Sequence, residues 1–160
     1  MKKLKIYLDT SVISHLNNVD RLEWVEETHK LWNRIKAGNY DVVISAVTTR
    51  ELDLCLEPKR TVLSDYLKQI KYTLVPLDEN MLIIANKIIE LGVLKQKSID
   101  DCQHIAAAIV SGCNIIVSWN FKHIVNHKTI QGVKAVTAMT GFPEILIYTP
   151  TILIGDEGND

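Results

Sequence analysis

The chain has 160 residues, of which 47% are apolar, with 18 Lys and Arg against 19 Asp and Glu. That size suits one domain, the composition excludes extended disorder and fibrous repeats, and a net charge of −1 excludes a strongly basic nucleic-acid coat protein. No apolar run approaches the roughly 18 residues of a membrane span, and the first residues lack an export-type apolar stretch, so a cytoplasmic protein without membrane contact is expected.

Leu4, Ile6 and Leu8 lie within a short strand that ends at Asp9, after which Thr10 or Ser11 can cap a helix to about Val19. Trp24, Val25, Leu31, Trp32 and Ile35 form a helical stripe closed by Gly38. Residues 42–45 read as a buried strand, and Thr48 or Thr49 precedes a short helix carrying Glu51, Leu52 and Cys55, which Pro58 stops. A helix over 62–70 and a strand over 72–75 follow. Met81, Ile84, Ala85, Ile88 and Leu91 mark the next helix, ending at Gly92. Ser98 opens another, with Ile105 and Ile109 on its apolar side and Gly112 at its end. Residues 115–118 and 145–148 read as strands around a helix at 131–140. The acidic stretch 155–160 (GDEGND) reads as a frayed tail, leaving 1–154 as the domain. Cys55, Cys102 and Cys113 have no close pairing and read as buried thiols of a reducing compartment.

Short apolar strands separated by helices predict an α/β fold, a central parallel sheet of four or five strands covered on both faces. Right-handed crossovers then bring the strand carboxyl ends to one edge, where ligands bind in such sheets. Asp9 ends the first strand, Glu51 lies in the first turn after the second, Asp100 and Asp101 open the helix before the fourth, and Asn120 follows that strand. Two carboxylates about 4 Å apart repel by about 4 kcal/mol at an effective dielectric near 20, so such a cluster calls for a counter-ion. Oxygen-only donors suit Mg²⁺ or Mn²⁺, and those ions suit phosphodiester hydrolysis: they polarise the phosphoryl oxygen and acidify a bound water. Each position also has a plainer reading. Asp9 can cap a helix, Glu51 can face a helix dipole, Ser98 and Asp101 can form a capping box, and Asn120 can begin a turn. Their conjunction at one edge favours a site.

YLDTSVI (residues 7–13), Glu51 within TTREL, DCQHIAAAI (101–109) and IVSWNFKHI (116–124) together resemble the PIN-domain family, which includes the ribonuclease toxins of VapBC toxin–antitoxin operons. The resemblance runs from the first strand past the fourth. It implies a single PIN-like domain, an endoribonuclease dependent on Mg²⁺ or Mn²⁺, an RNA substrate, a cognate antitoxin and a homodimer. By position, Asp9, Glu51 and Asp101 match the three family acids as metal ligands and catalytic residues. Asp101 is preferred to Asp100 because it opens D-x-x-H-I-A. Ser118, Asn120 and His123 stand where related toxins carry T, N/D and a further D. An amide and an imidazole there weaken any second metal position, and a catalytically silent interaction module is the alternative.

None of the five histidines forms a zinc-type pair. His104 can orient the site or pack beside a neighbouring helix. Lys122, His123, His127 and Lys128 make a basic patch after Asn120, with Lys122 and His123 as candidate substrate contacts. Trp119, among them, either stacks on an unpaired base or packs inward.

Overall fold

The computed structural model describes residues 2–155. Five strands, β1 (Leu4–Leu8), β2 (Tyr40–Ser45), β3 (Thr73–Val75), β4 (Ile115–Val117) and β5 (Leu146–Tyr148), pair in parallel in the order β3-β2-β1-β4-β5. The helices are α1 (Thr10–Ser14), α2 (Leu22–Lys36), α3 (Ala46–Asp53), α4 (Lys59–Leu67), α5 (Glu79–Glu90), α6 (Ile99–Val110), α7 (His127–Thr140) and α8 (Pro150–Gly155). The expected parallel α/β architecture is therefore present, with five strands.

The two-residue period of the strands divides the core. Ile6, Leu8, Val42, Ile44, Ile115 and Val117 face one layer with Leu31, Trp32, Leu63 and Leu153. Tyr7, Val43, Ile116 and Ile147 face the other, packed on α5, α6 and α7. Helix α6 is the most deeply set, because Ile105, Ala106, Ala107 and Ala108 are all fully buried. Its run of alanines lets sheet and neighbouring helix approach on both sides, and this fixes where its first turn points.

The chain winds from β1 through β2 to β3, then returns to place β4 on the other side of β1. The crevice between the carboxyl ends of β1 and β4 is thus the switch point at which sheets of this class bind ligands.

Several local expectations are corrected. The first helix ends at Ser14 and tightens into a 3₁₀ turn over His15–Asn17. Asn18 then leaves in extended conformation, its side chain accepting from Asp20 N–H at 2.9 Å, a local bond that competes with helix continuation. The helix bearing Glu51 starts at Ala46, because Ser45 and Thr48 cap each other reciprocally, and it ends before Cys55. Glu51 therefore sits in the second turn, which removes the first-turn dipole reading. The helix placed at 62–70 spans Lys59–Leu67, and that placed at 131–140 starts at His127, capped by Asn126. Helix α8 was not anticipated; it includes Gly155, and the remainder of the acidic tail, 156–160, lies outside the described residues. All three cysteines are free, with Cys102 and Cys113 buried and Cys55 half-buried. Among the described residues no helix is long and apolar enough to cross a membrane.

Candidate functional site

Asp9 begins where β1 stops. Its N–H donates to Val117 O of β4 at 3.1 Å, which holds it at the switch point, and the residue is 3% exposed. It occupies the N-cap position of α1 without capping it. Instead its Oδ2 accepts from the Ser11 and Ser118 hydroxyls, both at 2.7 Å, and its Oδ1 lies 3.4 Å from His104 Nε2.

His104 is 1% exposed and stands between the acids. Nε2 donates to Glu51 Oε1 at 2.5 Å, and Nδ1 pairs with the Tyr7 hydroxyl at 2.6 Å. Tyr7 in turn bonds to Ser45 Oγ at 2.8 Å, so the cap of α3 and the imidazole are tied through one phenol. Thr10 Oγ1 also donates to Glu51 Oε1, at 2.9 Å. The helix period explains the position of His104: three residues after Asp101, it lies on the same face of α6.

Asp101 closes the cluster from the first turn of α6. Its Oδ2 accepts from His123 Nδ1 at 2.8 Å and its Oδ1 from Asn120 Nδ2 at 3.3 Å. Asn120 Oδ1 accepts from His123 N–H at 2.9 Å, and Asn120 N–H donates to Ser118 Oγ at 2.9 Å. Ser98 makes no cap bond to α6, so the capping-box reading of Ser98 and Asp101 is not realised. Asp100 points to the rim, where it pairs with Arg50 at 2.7 Å and both groups are about half exposed.

The electrostatics follow from this crowding. Burial pushes the His104 imidazole down, but the Asp9 charge and the hydrogen bond and charge of Glu51 outweigh it, and its pKa stands above the ordinary histidine value. Burial pushes Glu51 up, yet the His104 hydrogen bond and charge hold it below the ordinary carboxylate range. Burial raises Asp101, and the nearby Asp9 charge adds to this against the His123 hydrogen bond. The raised imidazole and the lowered Glu51 carboxyl favour the charged form of that pair, which offsets part of the repulsion among the converging carboxylates.

Trp119 resolves to the inward alternative, which corrects the expectation of base stacking. It is 4% exposed, stacks on Trp24 with ring centroids 4.8 Å apart, and donates from Nε1 to Thr28 Oγ1 at 2.8 Å. The outward ring at this corner is Phe121, 5.3 Å from Trp24. Lys122 is exposed in the loop after Asn120. Sequence reasoning underrated His104 and missed the hydroxyls of Tyr7, Ser45 and Thr48. The available signals were the D-x-x-H spacing and a tyrosine at mid-strand, which needs a polar partner when buried.

Among the described residues no three His, Cys, Asp or Glu side chains stand as a ready metal cage, and each acid bonds to a protein donor. In kind, the donors fit a hard divalent cation: three carboxylates from separate segments, at an edge of the sheet, with excess negative charge between them.

The PIN domain family model matches residues 6–122, from β1 to the loop holding Asn120. No curated protein shows a significant match to the sequence. Among solved structures, VapBC2 from Rickettsia felis, bound to a DNA fragment from their promoter, is similar with a TM-score of 0.59 at 11% identity, covering 91% of this chain and 98% of that one. Mycobacterium tuberculosis VapC20, a sarcin-ricin loop cleaving toxin, is similar with a TM-score of 0.54 at 16% identity, covering 88% and 98%. At such identities the likeness is one of fold. The family match spans all three acids and most of the sheet, and the chain belongs to the PIN domain family.

Proposed function

We propose that this PIN-domain protein is a Mg²⁺- or Mn²⁺-dependent endoribonuclease, acting as the toxin of a VapBC-type toxin–antitoxin pair. One observation carries the reading: Asp9, Glu51 and Asp101, remote in sequence, converge about the buried imidazole of His104 at the switch point of the sheet. The fold likeness to VapBC2 and to VapC20, a sarcin-ricin loop cleaving toxin, supports the same direction.

In this reading Asp9 and Asp101 hold the ion, and Glu51 joins them or positions the attacking water. Bound there, the ion supplies Lewis acidity and neutralises charge on the leaving oxygen. The other residues serve these acids. Ser11 and Ser118 fix Asp9 through hydroxyl donors, His104 anchored on Tyr7 aims Glu51, and Asn120 with His123 orients Asp101. Such outer hydrogen bonds tune ligand orientation and basicity. His123 keeps its Nδ1 on Asp101 and has no protein partner at Nε2 among the described residues, so Nε2 can meet a substrate phosphate. The partners in this reading are an RNA substrate, an antitoxin segment covering the acidic groove, and a second copy of the chain.

The test is RNA cleavage by the purified chain with Mg²⁺ or Mn²⁺. Cleavage stops with a chelator and is lost in Asp9→Asn while the fold survives by circular dichroism; a fully active Asp9→Asn removes the proposal. The silent-module reading keeps one specific support, the internal partner already held by every acid, with Asn120 and His123 at the fourth position. It is favoured if Mn²⁺ fails to bind at millimolar concentration with RNA present.

A further inference from the structure

A second cavity, of about 250 Å³, adjoins the acid cluster and shares His123 with it. Lys95, Lys97, Lys122 and Lys128 line it together with Ser98, Asn126 and Thr129, and no carboxylate does. Two helices begin at its wall: α6, of 12 residues, after its N-cap Ser98, and α7, of 14 residues, after its N-cap Asn126. Their N-terminal dipoles present partial positive charge to the same space.

The polar groups of the wall separate into used and unused. Asn126 Oδ1 accepts from Thr129 N–H at 2.9 Å, and Thr129 Oγ1 donates to His123 O at 2.8 Å. Ser98 differs. It is 6% exposed, it lines the cavity, and its hydroxyl neither caps α6 nor meets any other partner among the described residues. The residue is nine-tenths buried while its Oγ is not among the fully enclosed atoms, so the hydroxyl opens on the cavity and is free to donate to an anion there. Of the two acids in the first turn of α6, Asp100 pairs with Arg50 and Asp101 bonds to His123, and neither lines the cavity.

We propose that this cavity is a phosphate subsite for the RNA strand running away from the acid cluster, with the Ser98 hydroxyl as its wall donor and Lys95, Lys97 and Lys128 as its charges. The identity of the polyanion rests on the ribonuclease reading above; the anion site itself rests on the lysines, the two helix N-termini and Ser98. His123 forms the partition, with one ring nitrogen on Asp101 and its ring at the cavity wall. A strand crossing this partition has one phosphate at the acids and a neighbouring one at the lysines.

The experiment measures binding of a fluorescein-labelled short single-stranded RNA to the intact chain by anisotropy, with divalent ions chelated, from roughly 50 to 300 mM salt. Replacing Lys95, Lys97 and Lys128 together by Ala is expected to weaken binding roughly tenfold at the low-salt end and to reduce the logarithmic salt slope by about 2, as three lost single-strand phosphate contacts require. Ser98→Ala is expected to weaken binding severalfold without changing the slope. An unchanged slope in the triple variant overturns the inference, as does an equal change from Lys68→Ala with Lys71→Ala at the opposite edge of the sheet. Cleavage with Mn²⁺ is scored separately. Retained cleavage with an unchanged slope removes the subsite alone. A slope change in a chain that cleaves no RNA supports the anion site while removing the ribonuclease reading.

Discussion

At the amino ends of the strands Lys3, Lys5, Lys36, Lys68 and Lys71 surround a cavity of about 750 Å³ whose lining includes one acid, Asp41, whereas at the carboxyl ends Asp9, Glu51 and Asp101 are drawn together around His104. Parallel winding accounts for the polarity. Helices return antiparallel to the strands, so their C-termini collect at the first edge and their N-termini at the second, and the macrodipoles favour cations and anions respectively. Lys36 lies in the last turn of α2, Lys68 is the C-cap of α4, and Lys5 Nζ donates to Ser111 O at the end of α6, at 2.6 Å. These lysines therefore complete helix ends, Lys36 and Lys68 in solvent and Lys5 half-buried. Asp9 is buried, Glu51 and Asp101 are half-buried, and each of the three takes a protein partner. The larger cavity is thus explained by helix termination, and the smaller, tighter cluster needs a chemical explanation.

The comparison breaks most directly by substitution at each edge. Asp9→Asn abolishes RNA cleavage, while Lys3→Ala, Lys36→Ala and Lys71→Ala leave the rate unchanged in the same assay. Equal losses at both edges would dissolve the distinction. Trp119→Ala, which empties the stacked corner beside the acids, costs about 3–5 kcal/mol in urea unfolding. His104→Ala removes the group that aims Glu51 and lowers cleavage about 10- to 100-fold with circular dichroism retained. Lys5→Ala costs only about 0.3–1 kcal/mol, the worth of a cation at a helix C-terminus.

The acid edge should also show in the pH dependence of stability of the metal-free protein. His104 is raised, so its contribution is complete below the ordinary value of 6.5 and is lost as pH rises through its folded value. Glu51 is lowered, so its contribution is complete above 4.5 and is lost as pH falls through its folded value. Asp101 is raised and opposes this, its contribution fading as pH rises from 3.8 through its folded value. The pair His104–Glu51 therefore supports the fold most fully between pH 4.5 and 6.5. Melting curves of His104→Gln should lose the decline on the alkaline side of that window.

Much of this was legible in the sequence because strand period, helix stripe and strand-end acids are local patterns. Tyr7 and Leu8 alternate between faces, and Asp9 follows directly at the sheet edge. Helix starts were displaced where the cap lay inside the preceding strand, as Ser45 does with Thr48. The family resemblance placed Asp9, Glu51 and Asp101 together, but their partners depend on long-range contact. Nothing near Trp119 in the chain announces Trp24 and Thr28 as its neighbours. Likewise, spacing puts His104 beneath Asp101, and only packing against Tyr7 and Glu51 makes it the hub of the cluster. The resemblance likewise supplies the antitoxin, the second copy and the RNA, which belong to the proposal.

The central claim is that Asp9 and Asp101 hold one divalent ion beside Glu51, and anomalous diffraction from crystals grown with Mn²⁺ tests it most directly. The account predicts a single peak within about 2.0–2.6 Å of carboxylate oxygens of Asp9 and Asp101, absent from Asp9→Asn crystals. No peak at the acids, with the His104–Glu51 bond intact at saturating Mn²⁺, would contradict it.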